Sequence, residues 1–175
     1  SGRADWMLFA AMRGKTNAAL CLLLAGVALL AESSPRAHSA SPLRRLSATA
    51  ATLLYSLIAV LTCLQYLLQL DFGIDQLLVT EPYVAESARY PNRMSPNAAL
   101  SLALLGGAFL AIQSGGERRP LVMFGQALCV AVLALNLLAL IGYLYNVSVF
   151  YQPTPFLRIS PYTALGLCAL SSGML

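Results

Sequence analysis

The sequence predicts an all-α, polytopic transmembrane helical bundle of about five spans, and three observations carry that reading. Of 175 residues, 58% are hydrophobic and only 10% charged, against about 25% charged in a soluble domain; the mean hydropathy is +0.70. The apolar residues gather into runs on the scale of a bilayer core of about 30 Å. One phrase then opens three of those runs: Arg13-Gly14-Lys15-Thr16-Asn17-Ala18-Ala19-Leu20, Arg93-Met94-Ser95-Pro96-Asn97-Ala98-Ala99-Leu100 and Arg158-Ile159-Ser160-Pro161-Tyr162-Thr163-Ala164-Leu165.

The phrase has a physical rationale. In its second copy Ser95 can accept from the free N–H groups of a starting helix, and Pro96 at the first helical position gives up no bond it would have made. Ser160 and Pro161 repeat that chemistry. A chain that starts apolar helices three times with one phrase is built from repeats.

Taken in order, residues 4–12 are apolar and carry the one Trp, Trp6, but are too short to cross a bilayer and suit the interface. Residues 17–31 form a short span. The connector 32–45, with Pro35, Pro42 and several serines, stops it, and Arg44 and Arg45 flank the next run. Residues 46–70 make a long span with Gln65, Tyr66 and Gln69 at its far end, followed by an exposed stretch, 71–95, in which Ile74 to Val79 could form an interfacial helix. Residues 96–112 repeat the short span, 113–120 form a tight polar connector, 121–145 repeat the long span, 146–160 form a second exposed loop, and 161–175 begin a third short span that is cut off.

The whole chain, 1–175, reads as one integral membrane domain with units at approximately 1–31 (partial), 46–112 and 121–175. Two crossings per unit return the chain to the same side, so the units are expected to be parallel, unlike inverted transporter repeats. Arg36, Arg44, Arg45, Arg118 and Arg119 lie in short connectors, which the positive-inside rule assigns to the cytoplasm. The long loops are then expected outside.

The net charge of +4 is carried by arginines at the ends of apolar runs rather than by a basic stripe with interleaved aromatics, so the expected partner is a lipid bilayer and not nucleic acid. Cys21, Cys63, Cys129 and Cys168 each sit in an apolar run with no C-x-x-C pair, and His38 is the one histidine. This argues against a metal site or a bis-histidine haem and leads us to expect no cofactor. No Ser–His pair, intramembrane carboxylate pair or phosphate-binding glycine loop is present, so the chain is not expected to be an enzyme.

The run from Lys15 to Gly26, the stretch Leu64-Gln65-Tyr66 through Phe72-Gly73-Ile74-Asp75-Gln76-Leu77-Leu78, the Arg93 phrase and Gly142-Tyr143-Leu144-Tyr145-Asn146-Val147-Ser148 together resemble the N-terminal multi-span membrane region of bacterial sensor histidine kinases and diguanylate cyclases. The resemblance covers nearly the whole chain. It implies a sensor in the bacterial inner membrane, part of a two-component or related signal-transduction system, placed before cytoplasmic PAS, GAF, kinase or cyclase modules. The chain departs from it in carrying no output module, in a first of six helices that is either missing or reduced to residues 4–12, and in a last helix that is cut off.

Two sets of residues are candidates for ligand binding. Arg13, Arg93 and Arg158 hold one place in the three phrases, and with the positive ends of three helices they could converge on an anion; alternatively each reaches lipid phosphate or a loop acid such as Asp71 or Asp75. Asn17, Asn97 and Tyr162, with Tyr66 and Tyr143 at the ends of the long spans, either line an outward cavity or bond between helices. Asn136, mid-span, suits an interhelical bond, and Gly106-Gly107, Gly26 and Gly173 suit close helix contact. The expected function is a sensory input domain that detects a small anionic or amphipathic ligand, or membrane state, as a homodimer. The alternative is a structural or accessory subunit of a larger membrane complex. A small transporter or channel is disfavoured, because the spans lack the acidic residues and broken helices of ion paths.

Overall fold

The computed structural model describes residues 16–33, 42–74, 93–116, 118–145 and 159–175, and these form five helices. They are α1 (Thr16–Ser33), α2 (Pro42–Leu68), α3 (Pro96–Gly115), α4 (Arg119–Leu144) and α5 (Pro161–Gly173). The first four are long and apolar enough to cross a membrane. The fifth has 13 residues, roughly 20 Å of helix, so the fifth expected span is short within the described residues. Residues 4–12, and those of 75–79, lie outside them.

Local chemistry sets the helix ends. Ser95 accepts from the Ala98 N–H and Ser160 from the Thr163 N–H, each ahead of a proline in the first turn, as the phrase predicts. Helix α2 begins at Pro42, four residues before the expected 46, so Arg44 and Arg45 ride on its first turn; proline at the first position is compatible with the earlier start. It stops at Leu68 because Gln69 turns left-handed (φ 54°). The α3–α4 connector is tight: Gly116 has φ 48°, and the Arg118 N–H donates to the Gly115 carbonyl at 2.6 Å.

The short helices α1, α3 and α5 touch one another in pairs, while α2 packs against α1 and α3, and α4 packs against α3 and α5. The result is an inner group of three flanked by two long helices. Half of the α3 span is buried, against 28% for each of the other three spans. The buried residues of α2 are Ala48, Thr52, Tyr55, Ala59, Thr62 and Gln65, and those of α4 are Gly125, Cys129, Val132, Asn136, Ala139 and Gly142. Both sets advance by steps of four, three, four, three and three, so the two helices turn matching faces inward.

Lipid tails are as apolar as leucine, so helices associate in a bilayer by close packing rather than by escaping water. Three glycines permit this. A Cβ on Gly106 would fall 1.8 Å from Ser56 Oγ, one on Gly115 would fall 2.5 Å from Val122 Cγ2, and one on Gly125 would meet Ile112 Cγ1 at 2.7 Å and the Ala108 carbonyl at 2.9 Å. Gly173 approaches Leu29 (2.8 Å), whereas Gly26 has open space and Gly107 meets only Leu128 at 3.9 Å. The expected close contact therefore holds at Gly106 and Gly173 and not at Gly26. Asn136 crosses from α4 to donate to Ser101 Oγ (3.1 Å), and its Nδ2 also bonds the Val132 carbonyl (2.8 Å). This is the interhelical role its mid-span position predicts.

Substituting Gly125→Val should lower stability in detergent by about 1–3 kcal/mol, because the added carbon meets the Ala108 carbonyl as well as the Ile112 side chain. Gly107→Val should change it by under about 0.5 kcal/mol. Thermal unfolding of both variants checks the contrast, and equal effects would refute the packing assignment.

Candidate functional site

Four of the polar residues singled out in the sequence, Asn17, Tyr66, Arg93 and Asn97, lie where the end of α2 meets the starts of α1 and α3. Helix α2 delivers Gln65 and Tyr66 on successive positions of its last turn, and the left-handed Gln69 swings the chain into Leu70 and Asp71. Arg93, two residues before the Ser95 cap, reaches back across this corner. Its Nη2 lies 3.1 Å from Asp71 Oδ1 and 3.5 Å from the Leu70 carbonyl, and its guanidinium stands 5.5 Å from the centre of the Tyr66 ring, within cation–π range.

Asp71 Oδ1 is the hub of the corner. Besides Arg93 it accepts from the Gly73 N–H (3.0 Å) and from Gln65 Nε2 (3.4 Å). The pair is lopsided: the Arg93 side chain is 2% exposed and that of Asp71 57%. Tyr66 completes the arrangement by donating its hydroxyl to the Met94 carbonyl at 2.9 Å, which fixes the backbone just ahead of the α3 cap. From the other side, Asn17 at the start of α1 donates to the Ile74 carbonyl (3.2 Å). Residues 70–74 are thus held between the openings of two short helices.

The second corner repeats part of this. Tyr143, at the end of α4, donates its hydroxyl to the Ile159 carbonyl, and Ile159 occupies in the third phrase the place of Met94 in the second. Both tyrosines follow immediately on the last buried residue of their helix, Gln65 or Gly142. Tyr162 departs from the expected grouping: it lies 58% exposed on α5, while Asn17 at the equivalent place is buried and Asn97 half-buried. The structure therefore brings Arg93 together with Tyr66, sets Asn17 and Tyr143 on backbone carbonyls, and leaves Tyr162 at the surface. Arg13 and Arg158 lie outside the described residues.

Of the two readings of Arg93, the contact observed is with the loop acid Asp71. Two partners were not evident from sequence. Ser101 takes the Asn136 bond, and Gln113, at the far end of α3, accepts from Thr49 Oγ1 (2.9 Å) while its carbonyl takes Arg45 Nη2 (3.2 Å). Ser101 gave a weak signal as a lone hydroxyl in an apolar run. Among the described residues no three His, Cys, Asp or Glu side chains come together. No protein-family model, curated protein or solved structure matches the chain.

The unequal burial of the ion pair gives a directional prediction. Asp71→Asn leaves a buried guanidinium without its carboxylate, whereas Arg93→Met fills the space with an apolar chain and leaves a carboxylate that water already reaches. Asp71→Asn should therefore be the more destabilising, by on the order of 1–3 kcal/mol. Chemical denaturation of the two variants measures the difference, and the reverse order would contradict the arrangement.

Proposed function

We propose that the chain is the membrane-embedded input domain of a signalling protein, in a bacterial inner membrane, with its long loops outside. It responds to a small anionic or amphipathic ligand at its outer face and passes the response to a cytoplasmic output module outside this chain, working as a homodimer. The observation that supports this most is the Arg93–Asp71 pair: a buried cation at the opening of a transmembrane helix, held by a carboxylate that is more than half exposed.

Such a pair is suited to exchange. An incoming anion competes with Asp71 for the guanidinium, whose planar donors match a carboxylate or phosphate. Asp71 then leaves for water. Because Asp71 also holds Gln65 and the Gly73 N–H, its release loosens the end of α2 from the start of α3 and alters how the two helices pack. Arg13 and Arg158, at the matching places of the other phrases, offer the same chemistry.

A second reading is favoured by one observation. Arg93 already engages the protein's own Asp71 and Tyr66, as it would in a structural or accessory subunit of a larger membrane complex that binds no ligand.

Thermal-shift measurements with citrate, sulfate and inorganic phosphate separate the readings. Under the input-domain reading one of these anions stabilises the purified chain, Asp71→Asn lowers the concentration needed by removing the competitor, and joint replacement of Arg13, Arg93 and Arg158 by alanine abolishes the shift. A shift unchanged in the triple variant would overturn the arginine site. The complete coding sequence gives an independent check: a kinase or cyclase following in frame supports the input-domain reading, and its absence supports the subunit reading.

A further inference from the structure

The inner helices are not equally covered. Helix α3 carries one face against α2, where Gly106 receives Ser56, and another against α4, where Ser101 meets Asn136. Aligned on the shared phrase, Ala99 and Gly106 of α3 correspond to Ala164 and Ser171 of α5 and to Ala19 and Gly26 of α1. In α3 and α5, each packed against the long helix that precedes it, all four are buried. In α1, Ala19 is exposed and Gly26 has nothing within 4 Å. The opposite face of α1 follows the pattern, since Cys21, the equivalent of Ser101, lies against the Tyr55 carbonyl of α2 at 4.0 Å.

The same asymmetry appears in the packing of the whole bundle. Three inner helices make three outer grooves. The α1–α3 groove holds α2 and the α3–α5 groove holds α4. Between α5 and α1, which meet directly with Leu22 against Gly166 and Leu29 against Gly173, none of the described long helices packs on both partners.

We infer that the α5–α1 groove docks one more transmembrane helix of the α2/α4 type. The surface is continuous in kind with an interface already formed: the face of α1 that carries Ala19 and Gly26 corresponds to the face of α3 on which Gly106 receives Ser56 of α2, and its counterparts in α5, Ala164 and Ser171, are buried. The chemistry of the occupant follows from α2 and α4. It presents inward side chains at steps of four, three, four, three and three, most of them small or polar, and ends in a tyrosine next to the last of them. Packing on small residues, together with interhelical hydrogen bonds of the Asn136 kind, is what drives such association in lipid. The inference does not depend on a signalling role.

The test uses a synthetic peptide of residues 118–145 as the docking helix and the 175-residue chain in nanodiscs. A photo-cross-linker replaces Leu23, which is 63% exposed beside the uncovered face of α1, or Leu57, which is 56% exposed on α2. The peptide should cross-link at position 23 and not at 57. Gly26→Leu should reduce the yield about tenfold by filling the face, while circular dichroism stays unchanged because Gly26 has open space around it. Equal yields at both positions, no product at 23, no effect of Gly26→Leu, or a product at 23 made of two copies of the chain would each overturn the inference.

Discussion

Each long helix ends with a tyrosine hydroxyl bonded to the backbone carbonyl just ahead of the next short helix, and the rest of the bundle depends on that contact. Tyr66 holds Met94 and Tyr143 holds Ile159. A helix starting near a membrane surface has four N–H groups that its own turns cannot satisfy, and in hydrocarbon each costs several kcal/mol if left alone. Ser95 and Ser160 each satisfy one, and Pro96 and Pro161 each remove one. The tyrosines keep those caps in place relative to the preceding helix, so the start of every such short helix is registered on the end of its neighbour.

With the corners fixed, the interior follows from what packs in lipid. Gly106 lets Ser56 of α2 close onto α3, Gly115 and Gly125 bring α3 and α4 near backbone contact, and Asn136 with Ser101 adds a directional bond between α3 and α4. The charged chemistry stays at the rim. Arg93 and Asp71 cap one corner, and Arg45 and Thr49 tie the opposite end of the bundle to Gln113. A polar latch thus closes each end of the bundle, and an apolar, small-residue seam joins the two.

The sequence disclosed the parts governed by local chemistry. The Ser-Pro caps, the short and long helices, the interhelical role of Asn136 and a partner for Arg93 in the 71–75 acids are all legible, because each turns on a residue type at a defined place. The inward faces were not. Leu57 is lipid-exposed and Leu105 is buried, yet the two are one residue type, since a bilayer rewards both environments alike and erases the amphipathic signal of soluble helices. The matching buried steps of α2 and α4 involve alanine, threonine and tyrosine in one and glycine, cysteine and valine in the other, so side-chain identity hides a resemblance that geometry makes plain. The bend at Gln69 was equally hidden, because glutamine carries no left-handed preference. Gly26 and Tyr162 misled for the opposite reason: their place in the pattern implied neighbours that only the arrangement of helices could supply or withhold.

The orientation of the corners is the claim on which this account stands, and side-specific labelling of single cysteines in sealed vesicles tests it most directly. Phe72 and Tyr145 follow α2 and α4, while Ser33 ends α1 and Arg118 precedes α4, and all four are exposed. A membrane-impermeant thiol reagent should reach cysteines at 72 and 145 from one side of the membrane and those at 33 and 118 from the other. Labelling of 72 and 145 from opposite sides would contradict the account.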